Sequence, residues 1–465
     1  MKSGDAYEPQ GYYTPAEATA DSEEAPPGYN AAEPLVLSYP LTHKDGKTWA
    51  TLRARSRGAP GRKLPMLVEG DALEGSLDLD LVDQTAIKSL TVSVSATMPI
   101  SIGVSSAGQL VGNLVSAANV RYEFVRVSQT LWEEGKPLPE GAVEEKRGKV
   151  KGSFSLPFSL ELPQTVSLPD NDGNTVTYPL PSYIFGTWTV VNIAYTLTAT
   201  INHGSFLHPD HTVSTNVAYI PRMRPDPPSE AMRLAYEEGA ESLLGPDQDP
   251  DGWEVMTPVV IEGKGRGGGK VEATLTLALA KPLAYSRGGV IPLHLTITCP
   301  DDEALAAIST SEALNIYLLR VTRSGYDVLG GDFTVGMGSH AMLADAKHTE
   351  QRRYLYERVQ KAVWWSEVSN GTTRTLQGEI HLSARLDPTT HLGMFDYAYE
   401  VVFRPPEAEG FKAKKDTPLQ AYHVRICTMY ADGPRPVAHV PPTYDEIQRM
   451  NQRPVGLESS WANFY

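Results

Sequence analysis

A chain of 465 residues is too long for one ordinary core and suits two domains of about 150–200 residues plus tails. With 41% hydrophobic and 21% charged residues it has a globular composition, and its 39 glycines and 36 prolines favour many turns over long helices. The net charge of −15 argues against nucleic acid as the main partner, because phosphate contacts need a basic face, although a local basic patch is compatible with an acidic protein.

The N-terminus MKSGDAYEPQ has no apolar signal segment, and Cys299 and Cys427 are the only cysteines, which is the pattern of a reducing, cytoplasmic compartment without disulfides. No apolar run approaches the roughly 20 residues of a membrane span, so any membrane association is expected to be peripheral or borrowed from a partner. Residues 1–33 are rich in Asp and Glu and poor in large aliphatics, the composition of a disordered arm, and carry Pro26-Pro27-Gly28-Tyr29.

Short strands are predicted around Leu35-Val36-Leu37 and Trp49 to Leu52, joined through the turn Lys44-Asp45-Gly46-Lys47. Leu77, Leu79 and Leu81 then alternate with Asp78 and Asp80, and Leu90, Val92 and Val94 with Thr91, Ser93 and Ser95. Period two, twice, predicts two half-buried strands with a turn at Val82-Asp83-Gln84-Thr85, and Gly70-Asp71 and Gly75 mark a bend or bulge before them. Such a meander needs a second sheet over its apolar face, hence a β-sandwich. Further strands are expected at Val120 to Val127, Phe154 to Leu162 and Trp188 to Ile201, with a hairpin turn at Asp172-Gly173.

From Pro221 to Trp253 prolines bracket one short helix, with Ser229 as N-cap and Met232, Leu234 and Leu243 as its apolar positions; this reads as a connector. A second β-rich block follows, with strands near Val271 to Ala278, Val290 to Thr298, Leu314 to Thr322, Leu376 to Ala384, Tyr397 to Phe403 and Tyr422 to Met429, and a hairpin at Asn370-Gly371. Glu350 to Val363 reads as helix or strand, with its Tyr and Val content leaving both open. The chain thus divides into an acidic arm (1–33), a first sandwich (34–222), a connector (223–253), a second sandwich (254–431) and a Pro-rich tail (432–465) holding Pro441-Pro442-Thr443-Tyr444.

The two Pro-Pro-x-Tyr tetrapeptides are the sharpest functional signal. In a disordered segment such a run is already close to polyproline II, so Pro26, Pro27, Tyr29 and Pro441, Pro442, Tyr444 lose little entropy on docking into the aromatic groove of a WW domain. Leu180-Pro181-Ser182-Tyr183 is a variant that leads into a strand and reads as structural. The basic run Lys44, Lys47, Arg53, Arg55, Arg57, Arg62 and Lys63 suits an acidic protein segment, a phosphosite or anionic lipid headgroups, or else a solvated hairpin rim. Other patterns carry less: the Gly263 to Lys270 run lacks phosphate-loop spacing and ends on Val271 where Ser or Thr is needed, and His203, His208 and His211 are split by Pro209 and read as loop residues, not a metal site. Ser105-Ser106 does not match a nucleophile elbow.

Pro65 to Ala96, Leu131-Trp132, Ser153 to Phe158 with Leu162-Pro163, Leu180 to Tyr183 with Trp188 to Leu197, and Lys281 to Gly288 with Ile291-Pro292-Leu293 together resemble the landmarks of the arrestin fold in their order along the chain. With the terminal tetrapeptides, and Asp249 to Trp253 closing the connector, the chain resembles the α-arrestins, in their fungal branch. That resemblance implies an all-β protein of two tandem arrestin-like immunoglobulin-type β-sandwich domains with disordered N- and C-terminal tails, requiring no cofactor. It also implies a non-catalytic adaptor that recruits a WW-domain HECT-type ubiquitin ligase to membrane transporter or receptor cargo, promoting ubiquitylation and endocytosis from the plasma membrane and endosomes. Ubiquitin itself is a further partner on this reading, and Lys412, Lys414 and Lys415 are candidate acceptors. A signalling or sorting scaffold whose WW partner is not a ligase, and an enzyme built on sandwiches, are the competing expectations.

Overall fold

The computed structural model describes residues 35–57, 63–101, 119–146, 149–169, 174–184, 192–204, 209–324, 353–392, 395–415 and 417–439. Two helices apart, the described elements are strands, as period-two patterning predicts. The first twelve are β1 (Leu35–Thr42), β2 (Thr48–Ser56), β3 (Met66–Val68), β4 (Ala72–Ala86), β5 (Ser89–Ser101), β6 (Asn119–Glu133), β7 (Ala142–Lys146), β8 (Lys149–Glu161), β9 (Thr165–Pro169), β10 (Thr175–Pro179), β11 (Ala194–Asn202) and β12 (His211–Ile220). They form one sheet in the order β1-β2-β4-β8-β7, a facing sheet β3-β12-β11-β5-β6 and the hairpin β9-β10. Leu52, Leu77, Leu79 and Phe158 of one sheet and Leu90, Val92, Val94 and Leu197 of the other meet between the layers. Full burial of each such side chain contributes about 1.5–3 kcal/mol.

The turn expected at Val82–Thr85 does not form there. β4 runs on to Ala86 with its register slipping on β8 between Leu81 and Thr85, and the chain reverses at Ile87-Lys88. Because β4 and β5 lie in opposite sheets, this reversal is a corner between layers, not a hairpin within one. The Gly70 turn is as expected, with a positive φ of 83°. Gly75 is needed for closeness: a Cβ there would lie 2.0 Å from the Arg53 carbonyl oxygen and 2.5 Å from the Phe158 ring. β9 and β10 pair around 170–173, which lie outside the described residues, as do 188–191 of the predicted Trp188–Ile201 strand.

Helix α1 (Glu230–Glu238) starts where predicted, with Ser229 Oγ accepting from the Met232 amide. Its buried residues are Met232 and Tyr236; Leu234, expected inside, is 50% exposed, and Leu243 is buried beyond the helix end. The remaining elements are β13 (Trp253–Val255), β14 (Val259–Lys264), β15 (Lys270–Ala280), β16 (Ala284–Ser286), β17 (Val290–Thr298), α2 (Asp302–Ile308), β18 (Asn315–Ser324), β19 (Arg353–Lys361), β20 (Val363–Asn370), β21 (Thr373–His381), β22 (Thr390–Leu392), β23 (Phe395–Arg404), β24 (Lys412–Ala413) and β25 (Gln420–Cys427). Residues 353–361 are therefore strand, which resolves the open Glu350–Val363 segment in favour of its β-branched and aromatic content.

These strands form a seven-stranded sheet, β20-β21-β17-β15-β14-β24 with β13 on β15, and a six-stranded one, β16-β25-β23-β18-β19 with β22 on β23. The connector does more than link. Met232, Tyr236, Leu243 and Trp253 pack on Ala278 and Ala280 of β15, and Gln377 of β21 bonds both the amide and the carbonyl of Leu243. One outer face of the seven-stranded sheet is thereby covered, which explains why Val290-Ile291-Pro292-Leu293 is buried without alternation.

The passage from β12 into the connector is bonded on both sides. The Arg222 amide and Nε donate to Glu69, one residue past β3, at 2.7 and 2.9 Å. Next to it, the Met223 amide donates to Thr428 Oγ1 at 2.9 Å, and the Met223 carbonyl accepts from the amides of Thr428 and Met429.

Candidate functional site

The basic hairpin is the first predicted surface that the structure describes. On β2, Leu52, Ala54 and Ser56 are buried, so period two puts Arg53, Arg55 and Arg57 together on the solvent face. Each meets a carboxylate from β4 or the turn before it: Arg53 to Asp78 at 2.6 Å, Arg55 to Glu74 at 2.9 Å and Arg57 to Asp71 at 3.1 Å. Arg222 adds a fourth guanidinium, 3.6 Å from Asp71. Asp78 also accepts from Ser155 Oγ at 2.6 Å and from Ser76 Oγ at 2.9 Å. The result is a ladder of alternating charge in place of an uncompensated basic patch. An incoming anion has to compete with carboxylates already in place, although exposed pairs of this kind are each worth only about 0–1 kcal/mol. Lys47 reaches Asp45 in the turn at 3.8 Å, the Lys63 carbonyl accepts from Tyr39 Oη at 3.0 Å, and Arg62 lies outside the described residues.

The histidines are brought together in a different way from a metal centre. His203 Nδ1 lies 2.6 Å from the Ala86 carbonyl oxygen, and its Nε2 is 2.8 Å from His211 Nδ1. A carbonyl only accepts, so neutral His203 carries its proton on Nδ1 and accepts at Nε2, which makes His211 Nδ1 the donor. His211 stands edge-on to Trp49, whose ring also stacks on His43. Burial first, then the neighbouring His203 and His43, holds His211 below the ordinary imidazole value of 6.5, against a smaller upward pull from Asp210. His208 lies outside the described residues, among which no group of three His, Cys, Asp or Glu side chains is arranged to hold a metal.

The glycine-rich run is the hairpin loop between β14 and β15. Its Gly265 amide donates to the Gly269 carbonyl and its Gly268 amide to the Gly265 carbonyl, so these donors serve the turn and do not converge on an anion site. Asn370-Gly371 is the β20–β21 hairpin turn, as read from sequence. In Leu180 to Tyr183, Ser182 and Tyr183 are buried and the Pro181 carbonyl accepts from Tyr195 Oη at 2.5 Å, so this tetrapeptide is core. Ser105-Ser106 lies outside the described residues.

Both Pro-Pro-x-Tyr tetrapeptides lie outside the described residues too, but the chain leading to the second is described as far as His439. Here the structure brings together residues that the sequence did not single out. Glu379 of β21 is 1% exposed; one of its oxygens is 2.7 Å from His381 Nε2, and the other accepts from the His439 amide at 3.1 Å. The His439 ring sits 5.8 Å from that of Trp365 on β20. A second buried polar group forms near β22, where Asp387 accepts from Tyr397 Oη at 3.0 Å and, through its carbonyl, from Tyr399 Oη at 2.7 Å, with the Arg320 guanidinium 5.0 Å from the Tyr397 ring centre. His391 of β22 meets Tyr178 of β10 edge-on, a contact between the two halves of the chain. Glu379 and His381 are two residues apart on β21, whereas the other partners are distant in sequence, and their only sequence signal is polar residues placed among apolar ones.

Among the described residues no helix is long and apolar enough to cross a membrane. Neither a family model nor a curated protein matches this chain.

Proposed function

We propose that this protein is a non-catalytic adaptor: an all-β body whose Pro-Pro-x-Tyr segments grip a WW-domain HECT-type ubiquitin ligase while the body engages membrane transporter or receptor cargo. The observation that carries this reading is the pair of tetrapeptides, Pro26 to Tyr29 and Pro441 to Tyr444, at opposite ends of the described strands. Mechanism is then proximity: holding ligase and cargo on one scaffold raises their effective concentration without chemistry by the scaffold itself. The basic hairpin, Arg53, Arg55, Arg57, Arg62 and Lys63, is the proposed contact for acidic cargo segments or anionic lipid. The deciding experiment is binding of full-length protein to purified WW domains of a HECT ligase, comparing wild type with Tyr29→Ala, Tyr444→Ala and the double variant. Loss of binding in the double variant supports the adaptor; unchanged binding, or none in wild type, removes the partner. Replacing the four arginines by alanine is expected to lower membrane recruitment while leaving WW binding intact.

A further inference from the structure

The lysines that the sequence scatters over 264–270 and 412–415 come together on one face of the seven-stranded sheet. Period two along β14 and β15 buries Ile261, Val271 and Ala273 and turns Glu262, Lys264, Lys270 and Glu272 outward. The two-residue strand β24 closes this edge. Phe411 is buried where Gly263 has no side chain, a Cβ there lying 2.5 Å from its ring, and the Lys414 amide donates to the Glu262 carbonyl at 2.8 Å. The register sets Lys264 directly opposite Lys270 on one side and Lys412 on the other. Three lysines thus stand in a row across three strands, about 10 Å from end to end at the usual strand spacing.

Like charges directly opposite one another destabilise a sheet, so packing alone does not call for such a row. The nearby carboxylates do not neutralise it. Glu262 is shared by Lys414 at 2.7 Å and Lys270 at 3.3 Å, Glu272 reaches Lys270 at 4.0 Å, and Arg266 in the loop takes Glu303 at 3.4 Å. Among the described residues no carboxylate pairs with Lys264, Lys412 or Lys415, all of them exposed. Counting Glu409 in the turn before Phe411, segments 259–272 and 408–415 carry six cations and three acids. On β2, by contrast, each guanidinium has its own carboxylate.

The chemistry of the row selects its partner. Lysine is a compact point charge with no fork to grip one phosphate or carboxylate at two points, and the single arginine here is already paired. The hairpin tip beside the row is Gly267, Gly268 and Gly269, with open space around each, so no wall rises there to enclose a discrete ligand. A leaflet rich in anionic headgroups needs neither fork nor wall. At physiological salt a surface charge is felt over about 8 Å, so such a leaflet meets this local face and not the overall charge of −15. We propose that the face formed by β14, β15 and β24 docks on an anionic membrane surface through Lys264, Lys412 and Lys415. This deepens the adaptor reading, which supplies the reason for membrane contact, but no WW domain or ligase takes part in it.

The test is flotation of full-length protein with vesicles of phosphatidylcholine alone or of an equal mixture of phosphatidylcholine and phosphatidylserine. Wild type is expected to float with the anionic vesicles and to lose binding as salt is raised. Lys264→Gln, Lys412→Gln and Lys415→Gln together are expected to cut partitioning at least about tenfold, with the melting temperature unchanged or raised because the like-charge row is relieved. Lys264→Arg, Lys412→Arg and Lys415→Arg together should bind as wild type does, and Glu262→Gln, which frees Lys270 and Lys414, should bind more tightly. Wild type that does not distinguish the two vesicles, or a triple glutamine variant that floats as wild type does, overturns the proposal. Wild type that ignores both vesicles but binds polyglutamate through these three lysines overturns it in favour of an acidic protein segment. None of these outcomes touches WW binding, so the membrane face and the ligase grip fail separately.

Discussion

Ser229→Ala gives the sharpest test of how the connector is built. The Ser229 hydroxyl accepts from the Met232 amide at 3.2 Å and donates to Asp249 Oδ2 at 2.5 Å. Asp249 is 6% exposed and keeps the Gly252 amide on its other oxygen at 3.1 Å. Loss of the N-cap costs about 1 kcal/mol, and loss of one hydrogen bond to a buried carboxylate about 1.5 kcal/mol. Together these make about 2–2.5 kcal/mol, or roughly a 30- to 60-fold rise in the opening constant of α1. The assay is hydrogen exchange resolved to residues 230–238, with Ser229→Thr as a variant that keeps both bonds. Asp249→Asn, alone and combined with Ser229→Ala, closes a double-mutant cycle expected to give about 1 kcal/mol of coupling. A rise below about threefold, or equal acceleration in the β1–β8 sheet, refutes the idea that one hydroxyl organises this segment.

Gly75→Ala forces a Cβ against the Arg53 carbonyl and the Phe158 ring, and is expected to lower stability by about 3 kcal/mol or more through strand displacement; a melting temperature within about 2 °C of wild type contradicts this. Cys427 is buried and its thiol is pushed up to about 11 by that burial, so a thiol reagent at pH 8 should leave Cys427 unmodified in the native protein and label both cysteines in denaturant; rapid native labelling of Cys427 refutes the packing of β25. His211 gives the pH dependence. Its folded value lies below the unfolded 6.5, so the unfolded chain takes the proton first; the contribution is complete above about pH 6.5 and is lost as pH falls toward the folded value. Denaturation midpoints between pH 8 and pH 5 should fall less steeply in His211→Gln than in wild type, and identical slopes exclude the imidazole cluster as the cause.

Much of the sheet framework is legible in residue alternation, because the apolar face of each strand has one layer to bury against. Leu77 to Leu81 of β4 and Leu90 to Val94 of β5 are read as strand for that reason. The Val82–Thr85 turn misleads because a strand that overruns its partner through a bulge loses its alternation just as a turn does. α2 goes unread because seven residues hold less than two turns of periodicity, although Asp301 caps it through the Ala304 amide as an N-cap should. Leu234, expected inside, is exposed while Tyr236 is buried, because the sheet beneath α1 offers small alanines at 278 and 280, which leave room for a large aromatic. Glu379 and His439 lie 60 residues apart, and a carboxylate at an alternating position of β21 reads as solvent-facing until the segment ending at His439 is laid over it. The two tetrapeptides are the reverse case: they are read from sequence alone, since both lie outside the described residues.

The stitching at Arg222 and Met223 has a mechanical consequence. A passage that bonds Glu69 behind it and Thr428 ahead of it resists swivelling, because rotation about those residues breaks contacts to both sides at once. Whatever binds to the first pair of sheets and whatever binds to the second are then held at a set separation and heading. The molecule behaves as a caliper whose jaws keep one gap, so insertion of a few flexible residues between Ile220 and Arg224 should leave each jaw intact while spoiling any task that depends on the spacing.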